Sequence, residues 1–290
     1  MKTYLECIPC FAQQALGAVK LATDDTSVQE KVLRDMLTTI SRIDMEQSPP
    51  LMGRQIHRHI RERLGQEDPY KEVKDQYNRL ALELFPDLAD RVNLADNPLE
   101  TAVRLAIAGN IIDFGANLDI DPALVNETIE LSLTDPLMGD LAEFARSVEN
   151  ADNILYLADN AGEIVFDRLL LERLPRERVT VAVRGAPVIN DATRHDAMMA
   201  GITELVPVID NGTDIPGTYL RECSDVFTAA FEQADLIISK GQGNYETLSE
   251  QHHQGDIFFL FKIKCAVAAR DMGAAVGRFV VQKKDLSYVG

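Results

Sequence analysis

The sequence has little positive charge for its length. Its 290 residues include 29 Lys and Arg against 46 Asp and Glu, which gives a formal net charge of −17. Such a chain would repel a nucleic-acid backbone and an anionic membrane surface, so we expect neither nucleic acid nor membrane among its partners. An anionic small molecule could still bind where a cation or a local basic group offsets the negative field.

The sequence also lacks long apolar runs and a cysteine framework. No segment reaches the roughly 18 apolar residues that a membrane-spanning helix needs, and MKTYLECIPC has no apolar core typical of a signal peptide. The four cysteines (Cys7, Cys10, Cys223 and Cys265) are few and unevenly spaced, as suits a reducing compartment. We therefore expect a cytoplasmic protein, whose 46% hydrophobic residues can fill one or two domains.

Several common catalytic motifs are missing. GQGNYE has Glu246 where a dinucleotide fingerprint requires its third glycine, and no Walker-type GK[ST] occurs. The five histidines form no HExxH. The Asp-x-Asp motif of haloacid dehalogenase-type phosphatases is absent from DNAGE, at 159–163. These absences disfavour a nucleotide-binding loop at 241–246 and a histidine-based zinc site.

The hydrophobic pattern changes near residue 150. Before it, apolar residues recur at helical spacing, so we expect helices, one stopping at Pro86 and another capped by Asn97. After it, short apolar runs alternate with helical stretches. These runs are NILYLAD (153–159), VTVAVRG (179–185), ELVPVID (204–210), LIISKG (236–241) and IFFLFKI (257–263).

This alternation predicts an α/β fold with two domains. A helical N-terminal domain would occupy residues 1–150, and a doubly wound, mostly parallel α/β/α sheet domain would occupy residues 151–290. Pro207 interrupts the third run and indicates either an edge strand or an uncertain register there.

Side chains of the kind that bind metal ions follow the first two predicted strands. Asp159 and Asn160 end the first run, and Asp191 lies in the loop after the second. Ligands bind beyond the carboxyl ends of parallel strands, where these side chains would meet. Carboxylate and amide oxygens are hard ligands that suit Mg²⁺ or Mn²⁺.

Groups that can bind a phosphate follow the fourth predicted strand. Lys240 is a compact cation suited to a phosphate oxygen, and Gly241 and Gly243 would let backbone N–H groups approach an anion. A metal, a lysine and backbone donors together indicate phosphoryl transfer.

The same residues also allow structural interpretations. Asn160 with Glu163 matches a capping box, and Asp191 could cap the helix that follows it. Cys7 and Cys10 have zinc-knuckle or redox spacing, but no second cysteine pair accompanies them. Simple packing at a helix start is the alternative for the two thiols.

The motifs in their order along the chain resemble the damage-control metal-dependent phosphatases, a family long known only as a domain of unknown function. Six segments carry the resemblance. They are CIPCFAQQAL, AGNIIDFG (108–115), LADNAGEIVFD (157–167), RGAPVINDAT (184–193), SKGQGNYETL (239–248) and FKIKCAVAA (261–269). The Cys7/Cys10 pair is similar to that of the compact microbial branch.

The resemblance implies a helical domain packed on a Rossmann-like domain with the active site between them. It implies a divalent metal on Asp159, Asn160 and Asp191, and phosphate contacts from Lys240 and the loop around it. It also places Asn110 and Asp113, from GN-x-x-D, at the cleft on the helical side.

We therefore predict a metal-dependent phosphomonoesterase that acts on a small phosphorylated metabolite. Mn²⁺ or Mg²⁺ is the expected ion, and Co²⁺ and Ni²⁺ are also compatible. Glu163 would orient a water or a ligand, and Arg184 and Asn244 would contact phosphate or sugar. The alternatives are a non-catalytic phospho-ligand or nucleotide-binding protein, and a scaffold built on the cysteine pair. Water and Asp159 both remain candidate nucleophiles, and no oligomeric state is predicted.

Overall fold

The computed structural model of the protein describes residues 1–112 and 122–284. Its helices are α1 (Cys7–Ala22), α2 (Thr26–Ile40), α3 (Pro49–Leu64), α4 (Lys71–Leu94), α5 (Pro98–Ala108), α6 (Pro122–Thr134), α7 (Leu141–Asn150), α8 (Glu163–Leu171), α9 (Arg194–Met199), α10 (Asp225–Gln233), α11 (Gln242–Leu248) and α12 (Ala266–Met272). Its strands are β1 (Leu137–Gly139), β2 (Ile154–Leu157), β3 (Val179–Val183), β4 (Val208–Asp210), β5 (Leu236–Lys240), β6 (Asp256–Lys262) and β7 (Phe279–Lys283). Across the described ranges, none of the helices is long and apolar enough to cross a bilayer.

The first three helices enclose a core of their own. Phe11 of α1, Met36 of α2 and Ile56 of α3 are buried in it together. Local chemistry sets the helix ends. The Asp25 carboxylate accepts two backbone N–H bonds at the start of α2, and Gly65 ends α3 in the left-handed conformation at φ 64°.

Helix α4 runs through Pro86, although the proline predicts a helix end there. That prediction was wrong because the apolar stripe continues beyond the proline. Leu88 and Val92 are buried against the core of the sheet, and their burial offsets the hydrogen bond that Pro86 cannot donate. The predicted cap at α5 is confirmed, since the Asn97 side chain accepts from the Glu100 backbone N–H at 3.1 Å.

The described strands form one sheet of seven in the order β1-β7-β6-β5-β2-β3-β4. All neighbouring pairs are parallel except β6 and β7. The α/β fold class is confirmed, and each of the five predicted runs overlaps a strand. Pro207 does precede an edge strand, because β4 pairs with β3 and ends the sheet.

Helices cover both faces of this sheet. Ile154 and Tyr156 of β2 pack in a core with helices α4, α5, α7 and α8, while Leu155 and Leu157 face the core beneath α10 to α12. Burial on both faces explains why the run reads as continuously apolar rather than alternating.

Strands β1 and β7 were not predicted from the sequence. Strand β1 has three residues and lies before residue 150, where only helices were expected, yet it pairs with β7 along Leu137–Gly139. So short a segment carries no usable periodicity. The division into domains at residue 150 stays a prediction.

Candidate active site

The strand order reverses between β2 and β5. From β2 the chain continues outward through β3 and β4, and it then returns to β5 on the other side of β2. A ligand-binding crevice forms at such a reversal, beyond the carboxyl ends of the two strands. Asp159 and Asn160 follow β2 at this point, and Lys240 and Gly241 end β5 beside them.

Backbone hydrogen bonds join the loop after β2 to the loop after β3. The Ala192 N–H donates to the Asp159 carbonyl at 2.8 Å, and the Ala161 N–H donates to the Asn190 carbonyl at 2.8 Å. Between these bonds Asn160 and Asp191 form an isolated antiparallel bridge. The two loops therefore bring the predicted metal ligands together, although they lie about 30 residues apart in the chain.

The three predicted metal ligands are nearly enclosed. Asp159, Asn160 and Asp191 are 7%, 4% and 3% exposed. The Asn160 amide donates to Asp159 Oδ2 at 2.7 Å and to Glu163 Oε2 at 3.0 Å. These carboxylates hold the side-chain NH₂ group of Asn160. The side-chain oxygen, Oδ1, is therefore the atom left to bind a cation.

Neither Asn160 nor Asp191 caps the helix after it. Helix α8 is capped by Gly162, at φ 76° and without a side-chain bond, and α9 is capped by Thr193. The capping interpretation of these side chains was therefore wrong.

Arg184 lies between the two aspartates. Its Nε donates to Asp191 Oδ2 at 2.6 Å, and its Nη2 lies 3.7 Å from Asp159 Oδ1. Nη2 is buried and makes no hydrogen bond. An unsatisfied guanidinium N–H at this point is a ready donor for an anionic oxygen.

Lys240 is buried completely, at 0% exposure. Its ammonium group donates to the Ala106 carbonyl at 2.9 Å, to Glu163 Oε1 at 2.7 Å and to Asp167 Oδ1. Burial lowers the pKa of Lys240, but the charges of Asp167 and Glu163 outweigh burial and hold that pKa above its usual value. All three N–H groups are used inside the protein, so the predicted phosphate contact of Lys240 stays a prediction.

Asn110 reaches the site from the helical side. It lies in a short 3₁₀ helix, Gly109–Ile112, after α5, and its amide donates to Glu163 Oε2 at 2.5 Å and to Asp159 Oδ2 at 3.5 Å. Asp113, the other residue predicted there, lies outside the described residues.

The glycine loop after β5 packs directly on the site. Gly241 has φ 81°, and a Cβ on it would lie 1.9 Å from Asp159 Oδ2, so only glycine fits. A Cβ on Gly243 would lie 2.3 Å from the Pro216 carbonyl oxygen. Asn244 is buried and donates to the Lys240 carbonyl at 2.7 Å, which ties α11 to the strand end. The substrate contacts predicted for Gly241, Gly243 and Asn244 stay predictions.

Comparisons with known proteins agree on the family of this chain. Residues 3–280 match the family model described as the damage-control phosphatase ARMT1-like domain. A damage-control phosphatase of Pyrococcus horikoshii is 36% identical over 288 residues, which cover 98% of each chain. A damage-control phosphatase of Archaeoglobus fulgidus is 34% identical over 295 residues, or 97% of this chain and 99% of the other. The chain belongs to the damage-control phosphatase family.

A solved structure supports the same assignment. The crystal structure of a DUF89 family protein from Pyrococcus horikoshii superimposes with a TM-score of 0.87 at 36% identity, covering 98% of this chain and all of the other. The family and the names of the relatives support a phosphatase role. The damage-control phosphatase resemblance seen in the sequence is thereby confirmed.

The charges at the candidate site are unbalanced in a way that suits a cation. Four carboxyl groups (Asp159, Glu163, Asp167 and Asp191) are buried together with two cationic side chains (Arg184 and Lys240). Burial, and then the charges of Glu163 and Asp191, raise the pKa of Asp159 well above its usual range. A divalent ion would supply the missing positive charge, so the donor set fits a hard metal.

The third ligand of such a site must be an amide. Among residues 1–112 and 122–284, no group of three or more His, Cys, Asp and Glu side chains is arranged to hold a metal. The candidate set of Asp159, Asn160 and Asp191 therefore depends on the Asn160 carbonyl oxygen.

Sequence reasoning missed one charged group at this site. Asp167 lies four residues after Glu163, on the same face of α8, and that spacing was the available signal. Burial raises the pKa of Asp167 to about 6, although Lys240 opposes the rise. Lys264 follows the fifth predicted run, and the sequence left a role at the site and a simple solvent contact equally open for it. It is exposed, and its charge opposes part of the rise in the pKa of Asp159.

The cysteine pair lies in the first turn of α1. Both thiols are free, and burial raises the pKa of Cys7 and of Cys10. Cys7 packs against the cores on both sides of it, which favours the packing interpretation over an activated redox pair.

Proposed function

We propose that the protein is a metal-dependent phosphatase that hydrolyses a small phosphomonoester, such as a sugar phosphate or a damaged phosphorylated metabolite. The observation that carries this proposal is the junction of the two strand-end loops. It gathers two carboxylates and an amide around a surplus of buried negative charge. Membership of the damage-control phosphatase family supports the same reaction.

Asp159, Asn160 and Asp191 would hold the divalent ion. When bound, such an ion supplies a Lewis acid that polarises a phosphate oxygen and neutralises developing charge. Mn²⁺ or Mg²⁺ suits these oxygen donors, and Co²⁺ or Ni²⁺ can take their place.

Two cationic side chains of this chain lie near Asp159, where the phosphoryl group would bind. Arg184 Nη2 makes no hydrogen bond and lies 3.7 Å from Asp159 Oδ1, so it can donate to a phosphate oxygen beside that carboxylate. Lys264 adds positive charge from the exposed side.

Glu163 has a different role, because both of its carboxylate oxygens already accept hydrogen bonds. It accepts from Lys240, Asn110 and Asn160. These bonds fix Glu163 so that it orients the Asn160 amide rather than contacting substrate.

Metal removal tests this proposal. We expect phosphate release from p-nitrophenyl phosphate or from one of a panel of sugar phosphates to fall to background after treatment with EDTA. Adding back Mg²⁺, Mn²⁺, Co²⁺ or Ni²⁺ should restore it. Activity that persists in EDTA would contradict metal dependence. Tight phosphosugar binding in EDTA, with no turnover under any metal, would indicate a binding protein instead.

A further inference from the structure

Asn78 of α4 is a fully buried amide outside the proposed metal site. It is 0% exposed, and both ends of its side chain are used. Oδ1 accepts from the Gly162 backbone N–H at 2.7 Å, and Nδ2 donates to Asp196 Oδ1 at 2.8 Å. We call these two bonds the Asn78 bridge.

The Asn78 bridge joins the starts of two helices. Gly162 caps α8 and follows Asp159 by three residues. Asp196 accepts from the N–H and the hydroxyl of Thr193, at 2.8 and 2.7 Å, and Thr193 caps α9 two residues after Asp191. One side chain on the helical side therefore holds both loops that carry the candidate metal ligands.

Backbone bonds also tie these loops, at Ala192 N and Ala161 N, and Arg184 ties them through its bond to Asp191 and its 3.7 Å approach to Asp159. Substitution of a side chain does not remove the backbone bonds, and Arg184 contacts both aspartates directly. The Asn78 bridge is a tie that depends on residue identity and whose two bonds go to neither aspartate. The negative charge of the Asp196 carboxylate is balanced locally. Asp196 lies 3.9 Å from the Lys74 ammonium group, which also pairs with Asp68 at 2.7 Å.

We propose that Asn78 is a positioning residue for the metal site and sets the separation between Asp159 and Asp191 through the starts of α8 and α9. This inference rests on the proposed function. Partners that orient metal ligands without touching the ion typically change affinity by about 10- to 100-fold when removed. Asn78 is expected to act in that range.

Three variants test this role through metal affinity alone. Asn78→Leu keeps approximate size and removes both bonds of the bridge. Asp196→Asn keeps the Gly162 bond and an oxygen that can accept from Thr193, but it replaces Oδ1, the oxygen that accepts from Asn78, with an NH₂ group that opposes the Asn78 amide. The double variant Asn78→Asp/Asp196→Asn restores the pattern, because the new carboxylate accepts from Gly162 and from the new amide. Lys74, one turn before position 78, lies beside that carboxylate.

The measurement is the Kd for Mn²⁺, by titration calorimetry on EDTA-treated protein without substrate. We expect Asn78→Leu to raise the Kd by about 10- to 100-fold and Asp196→Asn to raise it in the same direction. The double variant should return to within about threefold of the wild type. If Asn78→Leu does not fold, the comparison of Asp196→Asn with the double variant decides the matter.

Ser147→Ala is the matched control. Ser147 donates to Asp256 Oδ2 at 2.7 Å. Asp256 begins β6, so this bond lies at the amino ends of the parallel strands, opposite the candidate metal site. Its loss should lower thermal stability but leave the Kd unchanged. A wild-type Kd in folded Asn78→Leu, or no recovery in the double variant, would overturn the role of Asn78. A wild-type protein that binds no divalent metal would overturn the proposed function as well.

Discussion

Replacing Asp191 with asparagine is expected to lower metal-dependent phosphate release by at least about 100-fold while the protein stays folded. Asn has nearly the same size, so the bridge with Asn160 can persist. The substitution removes one of two carboxylate ligands, and with it a negative charge that faces both the metal position and Arg184. Initial rates at saturating Mn²⁺ measure the effect, and circular dichroism confirms the fold.

Asp210→Asn is the control for this substitution. Asp210 also ends a strand at the same edge of the sheet, but it accepts a bond from Gly212 N and belongs to the turn after β4. Near-wild-type activity is expected for it. Full metal-dependent activity in Asp191→Asn would show that the cation binds elsewhere.

Replacing Lys240 with methionine is expected to lower the free energy of unfolding by about 3–5 kcal/mol near pH 8. Methionine fills similar space but leaves the buried carboxylates of Glu163 and Asp167 without their cation. Isolated buried charge is far more costly than a compensated pair. Urea unfolding of the metal-free protein measures the difference.

The loss should shrink as the pH falls. Burial already raises the pKa of Asp167 to about 6 in the presence of Lys240, and removing this cation raises that pKa further. The folded variant then binds more protons than the unfolded chain, so its stability falls as the pH rises above about 4, the unfolded pKa of an aspartate. A loss that is equal at pH 5 and pH 8, or a loss below about 1 kcal/mol, would contradict the buried-charge account.

Much of the fold could be predicted because the sheet is buried on both faces. Each central strand then appears as a short apolar run bounded by polar residues, and the alternation with helices gives the α/β class. The wrong predictions lie where tertiary packing overrides the local sequence preference. Pro86 is retained inside α4 because Leu88 and Val92 still have a core to enter. Strand β1, with three residues, exists through its pairing with β7.

The candidate site was predictable for residues that adjoin strand ends. Asp159, Asn160 and Asp191 could be named because parallel strands end at one edge. The hydrogen-bond partners of the side chains at the site could not be predicted from the positions of the strand ends. The position of Lys240 suggested a phosphate contact, whereas its ammonium group is enclosed by Ala106, Glu163 and Asp167. That enclosure depends on how α5 and α8 pack, which no local motif encodes.

The most direct test of the account is the position of the metal. Crystals soaked in MnCl₂ would be measured by anomalous diffraction at the manganese edge. The account predicts a peak within about 2.5 Å of the side-chain oxygens of Asp159, Asn160 and Asp191, the range in which hard cations bind oxygen. A peak bound to other side chains, or no peak in crystals of protein that Mn²⁺ activates in solution, would contradict it.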